Sequence, residues 1–303
     1  MFRFRQPSRI VQAIVLAFVS CGELLSAAQV QRTFTPLPDP KAFVAEVRKR
    51  LLSDRTLQSQ YTYLEHRAEV SVSKLGKVSN GPLKVYEVYP SVELGNNYKR
   101  LISVNGVPLT AAELEKQDRI HRDDVLREVA KRQRESEAQR QERLAREAND
   151  RRKEQAMIDE AFALYTITMT GRETLQGHET VVATLVPKPN FNARTDAGQF
   201  LKKFKATAWV SESEYQLVRL DAEAIDDVTF GWGIVGRIHE GARAVFERTK
   251  VNGEVWLPAR TTFTGSGRAL LFRTFDVNSV TTYSDYKKFS VNTGETFEDR
   301  QTP

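Results

Sequence analysis

The hydrophobic positions of this 303-residue chain change period several times, and each change marks a predicted element. An apolar run from Ile10 to Ser20, broken only by Gln12, stands near the start. After Pro36, Pro38 and Pro40, the residues Phe43, Val44, Val47, Leu51 and Leu52 recur at spacings of three and four, which predicts an amphipathic helix. From Tyr61 the period becomes two. Tyr61–Val72 and Leu83–Val92 read as long strands. Tyr98–Val104, Asn105-Gly106 and Val107–Leu109 read as a hairpin with a type I′ turn.

Residues 111–163 break this rhythm. They hold 13 Lys/Arg and 14 Asp/Glu with no Gly or Pro, a helical and nearly neutral composition. The first turns carry Leu114, Ile120, Val125, Leu126 and Val129, the last turns Met157, Ile158 and Phe162. Between 131 and 155 the one large apolar residue is Leu144, too few for a core face or a sustained coiled-coil seam. The expectation is a solvated helix, or a helical hairpin breaking near Asn149-Asp150, with a partner-binding arm as the functional alternative.

From Leu164 the period is two again. Tyr165–Thr170, Thr180–Pro187, Lys205–Ser211, Tyr215–Ala224, Ala242–Lys250, Val255–Thr264 and Ala269–Tyr283 read as strands joined by turns such as Leu175-Gln176-Gly177 and Asn252-Gly253. Consecutive strands without intervening helices predict an antiparallel meander. The expected fold is α+β: a large, strongly curved antiparallel sheet, an open half-barrel, with the residue 43–52 helix covering it and a long charged helical insertion. The expected segments are a signal peptide (1–28), a Pro-rich linker (29–40), the first helix and strands (41–110), the insertion (111–163), the later strands of the same domain (164–290) and a flexible tail (291–303).

The first segment bears on compartment. Arg3, Arg5 and Arg9 precede the short apolar run, and Ser26-Ala27-Ala28 follows it, the grammar of a secretory signal. Export to the periplasm or the periplasmic face of the outer membrane is expected. Cys21, the single cysteine, follows Phe18-Val19-Ser20 and resembles a lipobox, although Phe18 stands where Leu is usual. Acylation of Cys21 and cleavage after Ala28 both remain open; either way the chain has no internal disulfide. The formal charge is +6, of which residues 1–28 carry +2, leaving +4. That is too small and dispersed for nucleic-acid binding, while peripheral or lipid-anchored association with an anionic membrane remains compatible.

Catalytic signals are weak. Gly231-Trp232-Gly233-Ile234-Val235-Gly236 spells a dinucleotide fingerprint but lies among antiparallel strands and opens no helix. His66, His121, His178 and His239 fall in four different elements, without metal-ligand spacing. Ser266, between Gly265 and Gly267, has no nucleophile elbow, and Asp226-Asp227 reads as a turn cap. No enzyme, metal or cofactor is expected. Trp209, Trp232 and Trp256 read as core anchors or as cavity lining.

The succession Gly171–Thr180, Leu185-Val186-Pro187-Lys188-Pro189, Ala208-Trp209-Val210, Tyr215–Arg219 and Asn252–Pro258 resembles outer-membrane lipoprotein-sorting proteins of the LolA/LolB-like superfamily. The resemblance covers about residues 160–290 well, 40–110 loosely and the charged insertion not at all. It implies a curved sheet with helices at its mouth and an apolar cavity for acyl chains; no functional residue of that family maps onto this chain. The alternation allows such a face independently: Val218, Leu220, Ala244, Phe246, Leu257, Phe263, Leu270 and Phe272 are the candidate lipid-binding residues, with Arg219, Asp221 and Glu223 opposed. The pattern fits a packed core equally. The expected partner is therefore a lipid or lipoprotein acyl chain, or alternatively a protein docked on residues 111–163 of an adaptor.

Overall fold

The computed structural model describes residues 36–51, 55–72, 78–91, 96–230, 236–269 and 273–288. The chain divides into a unit of Met1–Pro36, of which Pro36 alone is described, and a unit from Leu37 to Pro303 that holds every element below. The expected signal peptide, Cys21, Leu270, Phe272, Trp232 and most of the glycine motif lie outside the described residues.

Thirteen strands form one antiparallel sheet. The first group is β1 (Tyr61–Val72), β2 (Val78–Ser91), β3 (Asn96–Val104) and β4 (Val107–Pro108). The second is β5 (Tyr165–Leu175), β6 (His178–Pro187), β7 (Phe204–Ser211), β8 (Leu217–Ala224), β9 (Val228–Phe230), β10 (Gly236–Ile238), β11 (Arg243–Val251), β12 (Val255–Ala269) and β13 (Arg273–Lys288). The spatial order is β4-β3-β2-β1-β13-β12-β11-β8-β7-β6-β5, with β9 and β10 paired beside β12. Because β1 pairs with β13, the order follows the chain around a circuit interrupted between β4 and β5. The sheet is not closed. Twist accumulating over so many strands, and bulges at Met169/Gly171, Trp209/Val210 and Glu247/Arg248, curve it. Asn105-Gly106, Gln176-Gly177 and Asn252-Gly253 all take positive φ at both central positions, the type I′ requirement of two-residue hairpins.

Among the described residues, five helices accompany the sheet: α1 (Pro40–Arg50), α2 (Arg55–Gln58), α3 (Ala111–Gln133), α4 (Glu137–Leu164) and α5 (Asp196–Leu201). Asp39 caps α1, accepting from Ala42 N at 2.8 Å, and Pro40 supplies the pre-set φ of a first turn. Phe43 of α1 is buried against Val181, Ala208 and Val210, so the helix sits on the sheet as expected.

The charged insertion is two helices, and the break is at Arg134–Ser136 rather than at Asn149-Asp150, which lie inside α4. The physical reason is a capping box. Ser136 accepts from Gln139 N, while the Gln139 side chain accepts from Ser136 N at 2.9 Å. The ends of the pair are anchored and the middle is exposed. Gln117 of α3 bonds both backbone groups of Leu101 at 3.0 Å, satisfying the β3 edge beside the short β4. Asp118 accepts from Arg100, and His121 stacks on Tyr98 at 3.9 Å. At the far end Glu160 of α4 accepts from Thr195 N at 3.0 Å and from the Thr195 hydroxyl, fixing the approach to α5.

Three further differences from the sequence reading follow from packing. Strands β9 and β10 are too short for a period to register. Helix α5, six residues long, lies between β6 and β7, where the hydrophobic period predicts no element. Tyr215 occupies a left-handed turn before β8 instead of opening the strand.

Candidate functional site: the apolar face of the sheet

Strand register places side chains in rows across the sheet, since residues directly opposite share a face. One row runs Met169, Ala183, Ala208, Leu220, Phe246, Thr261, Thr281 and Arg67 from β5 to β1. The adjacent row on the same face runs Ile167, Leu185, Ala206, Ala222, Ala244, Phe263 and Ser279. From β5 to β11 both rows are wholly apolar. The opposite face carries Lys205–Glu223, Arg219–Glu247 and Arg243–Asp221 ion pairs, and Arg219 stacks on Trp209 at 5.0 Å. The alternation read on β8 and β11 is therefore real: one face is apolar and the other charged.

Helix α1 covers part of the apolar face. Phe43 and Val47 meet Val181, Ala208, Val210, Met169, Leu185 and Leu220, and the Phe43 ring lies 5.3 Å from that of Tyr215. Ala183 and Ala208 are thereby buried, whereas Leu220, Ala222, Ala244, Phe246 and Phe263 are only partly buried. A groove of about 470 Å³ opens where α1, the last turns of α4 and β5 meet. Val44, Phe162, Tyr165 and Ile167 line it, and the Arg48–Asp159 ion pair stands at its rim. Ile167 also belongs to the second apolar row, so groove and face are continuous. Burial holds the Tyr165 phenol up at about 12, and its hydroxyl donates to Leu201 O at 2.8 Å.

Of the eight sequence candidates, the structure brings together Leu220, Ala244, Phe246 and Phe263. Val218 is fully buried beside the β7–β8 bulge. Leu257 sits apart, in a second core with Tyr61 and Val255, because the β11–β12 register sets it opposite Thr249 and hence away from Phe246. Both are core. Ile167, Met169, Leu185, Ala206 and Ala222 complete the face and were not among the candidates; their alternation along β5, β6, β7 and β8 is the signal that marks them.

Beyond β12 the same face changes character. Glu65, with 4% of its side chain exposed, accepts from Lys99 at 2.6 Å and lies 3.5 Å from Arg67. Arg67 stacks over Tyr86 at 5.2 Å, and Tyr63 packs against Tyr283 and Tyr286 at 5.9 and 5.5 Å. Burial raises the phenol pKa of Tyr63, Tyr283 and Tyr286. A buried acid bracketed by two cations, walled by aromatic rings, stands at the end of an apolar track.

The elbow of α3 and α4 encloses a wider cleft of about 670 Å³, lined by Arg127, Lys131, Arg134, Glu135, Arg143 and Arg146 among others. Four of its cations are met by acids: Arg127 by Asp124, Lys131 by Glu128, Arg146 by Glu142, and Arg143 by Glu135 and Glu147. The histidines remain scattered: His178 packs on Trp256 at 4.7 Å, and His239 lies 3.4 Å from Ser266. Trp256 is core, 1% exposed, with its indole N–H on Glu214 at 3.0 Å.

No family model matches this chain, and no curated protein matches it. Solved structures do. An outer membrane lipoprotein-sorting protein domain from Vibrio parahaemolyticus is similar at 8% identity and a TM-score of 0.30, over 83% of this chain and 95% of that one. A DUF1329 family protein from Desulfovibrio piger matches at 13% identity and 0.28, over 84% and 95%. A LolA superfamily protein from Nitrosomonas europaea matches at 9% and 0.28, over 85% and 96%. At such scores the likeness carries no functional argument, and the site stands on its own geometry.

Proposed function

We propose that this chain is a non-catalytic protein of the bacterial cell envelope that binds a lipid or lipoprotein acyl chain on the apolar face beneath and beside α1. The observation that supports the reading is the pair of continuous apolar rows from β5 to β11, buried under a single covering helix at Ala183 of β6 and Ala208 of β7 and only partly buried on β8 and β11. A packed core would bury Leu220, Phe246 and Phe263 fully; a monomeric surface would not keep so continuous an apolar track. Binding would draw on apolar burial at about 25 cal/mol per Å². Export rests on the Arg-rich start and the short apolar run of residues 1–28. No helix among the described residues is long and apolar enough to cross a membrane.

The test is retention of a fluorescent palmitoyl probe. Leu220→Asp and Phe246→Asp each place a carboxylate on the track and abolish retention, whereas Thr262→Asp, on the opposite face, leaves it intact. Normal retention in both track variants, with the strand signature of circular dichroism unchanged, sinks the reading.

A second reading has its own observation. The middle of α3–α4 is exposed while both ends are anchored, and Ile120, Leu126, Leu144 and Met157 show apolar surface on it. That arrangement suits an adaptor arm. Deleting residues 122–156 spares Gln117, Asp118, His121, Asp159 and Glu160; loss of a protein partner with probe retention unchanged favours the adaptor.

A further inference from the structure

We infer that the polar end of the same face, Glu65, Arg67 and Lys99 among Tyr63, Tyr86 and Tyr283, holds the anionic head group of the amphiphile whose acyl chain lies on the apolar rows. The inference rests on the acyl-binding reading and extends it to the ligand's class.

Register carries the argument. Along one row the side chains pass from Leu220 and Phe246 through the hydroxyls of Thr261 and Thr281 to the guanidinium of Arg67. Phe246 and Arg67 are three strands apart, about 14 Å at the usual strand spacing. One acyl amphiphile spans that distance. Glu65 joins the same face opposite Tyr283 on β13 and Tyr86 on β2, and Lys99 reaches it diagonally from β3.

Chemistry selects the sign. Glu65 is almost wholly buried, yet its two cationic neighbours keep 40% and 38% of their side chains exposed. The carboxylate thus works from below, holding Lys99 by a short charge-assisted bond and drawing Arg67 toward it. An ammonium has three donors, and the bond to Glu65 uses one of those of Lys99. The guanidinium plane of Arg67 is steadied on the Tyr86 ring, the arrangement by which arginine presents its fork to a phosphate or carboxylate. Tyr63, Tyr283 and Tyr286 give this end an aromatic wall with phenol tips, suited to the boundary between acyl chain and head group. A neutral ligand would use the apolar rows and gain nothing here.

The test compares three ligands with one palmitoyl chain: a monoacylglycerol, the free fatty acid and a lysophosphatidic acid. Each displaces an apolar fluorescent dye from the full chain, below its micelle concentration and at low salt. The two anions are expected to bind at least tenfold tighter than the monoacylglycerol. Lys99→Gln and Arg67→Gln should each cost the anions about tenfold while leaving the monoacylglycerol unchanged, and Lys99→Arg should retain most of the preference. Unchanged monoacylglycerol affinity also reports that each variant is folded. The stronger of the two anions identifies phosphate or carboxylate as the head. Equal affinity for all three ligands, or an anion preference that survives both Gln substitutions, overturns the head-group site and leaves acyl binding standing. Displacement by none of them overturns acyl binding itself, and the head-group site with it.

Discussion

Phe43→Ala isolates the covering helix. Helix α1 spans 11 residues, and Phe43 is its one buried residue, 5% exposed. Helices this short are marginal alone in water, so α1 stands on its docking. The ring meets Val181, Ala208 and Val210 and lies 5.3 Å from Tyr215. Truncating a buried Phe to Ala costs about 3–5 kcal/mol. Val47 and the Arg48–Asp159 pair remain, and that pair, nearly half exposed at both partners, contributes at most about 1 kcal/mol. The loss therefore falls on docking rather than on the sheet, weakening closure by two to nearly four orders of magnitude. Hydrogen exchange resolved by peptide is the assay. Amides of residues 43–50 should lose most of their protection while β11 and β12 keep theirs. Protection falling equally in α1 and those strands would refute the reasoning, because Phe43 would then belong to the global core.

Three other perturbations address the frame. Gln117→Ala leaves the Leu101 N–H and C=O at the β3 edge without their partner; the urea midpoint should fall by the equivalent of about 1–3 kcal/mol and light scattering on heating should rise. Ser136→Ala removes the cap at the elbow, and about 1 kcal/mol of local stability should disappear, seen as faster exchange over 137–140 with thermal unfolding of the sheet little changed. Asp221 has its pKa lowered by its hydrogen bond from Arg243, with burial opposing and Arg219 adding to the effect. A carboxyl depressed on folding stabilises above its unfolded pKa of about 4 and loses that contribution as pH falls through the folded value. Asp221→Asn should flatten the stability decline below about pH 4 in urea titrations, and an unchanged acid limb would assign that decline to other carboxyls.

What the sequence made legible was local. Period-two alternation and the Asn-Gly and Gln-Gly turns are nearest-neighbour signals, and the strands and type I′ hairpins follow them. The capping box at Ser136 and Gln139 is equally local, yet Asn149-Asp150 is the more conspicuous breaker; an exposed helix tolerates that pair mid-span. The β1–β13 pairing joins residues more than 200 positions apart, such as Arg67 and Thr281, and no window along the chain contains it. The polar end of the site was hidden for the same reason. Nothing local distinguishes Glu65, Arg67 and Lys99 from other charged residues of alternating strands; only the register places Arg67 in the row of Leu220 and Phe246. Leu257 lies apart from Phe246 because the bulge at Glu247/Arg248 shifts its register, and bulges leave little trace in hydropathy.

The central claim is that the apolar rows hold a lipid. It is tested most directly by mass spectrometry of the protein isolated gently from its native envelope, before and after organic extraction. The account predicts an extractable lipid at about one per chain in the native protein, absent from Phe246→Asp. A ligand-free mass for the native protein, or the same lipid load on Phe246→Asp, would contradict it.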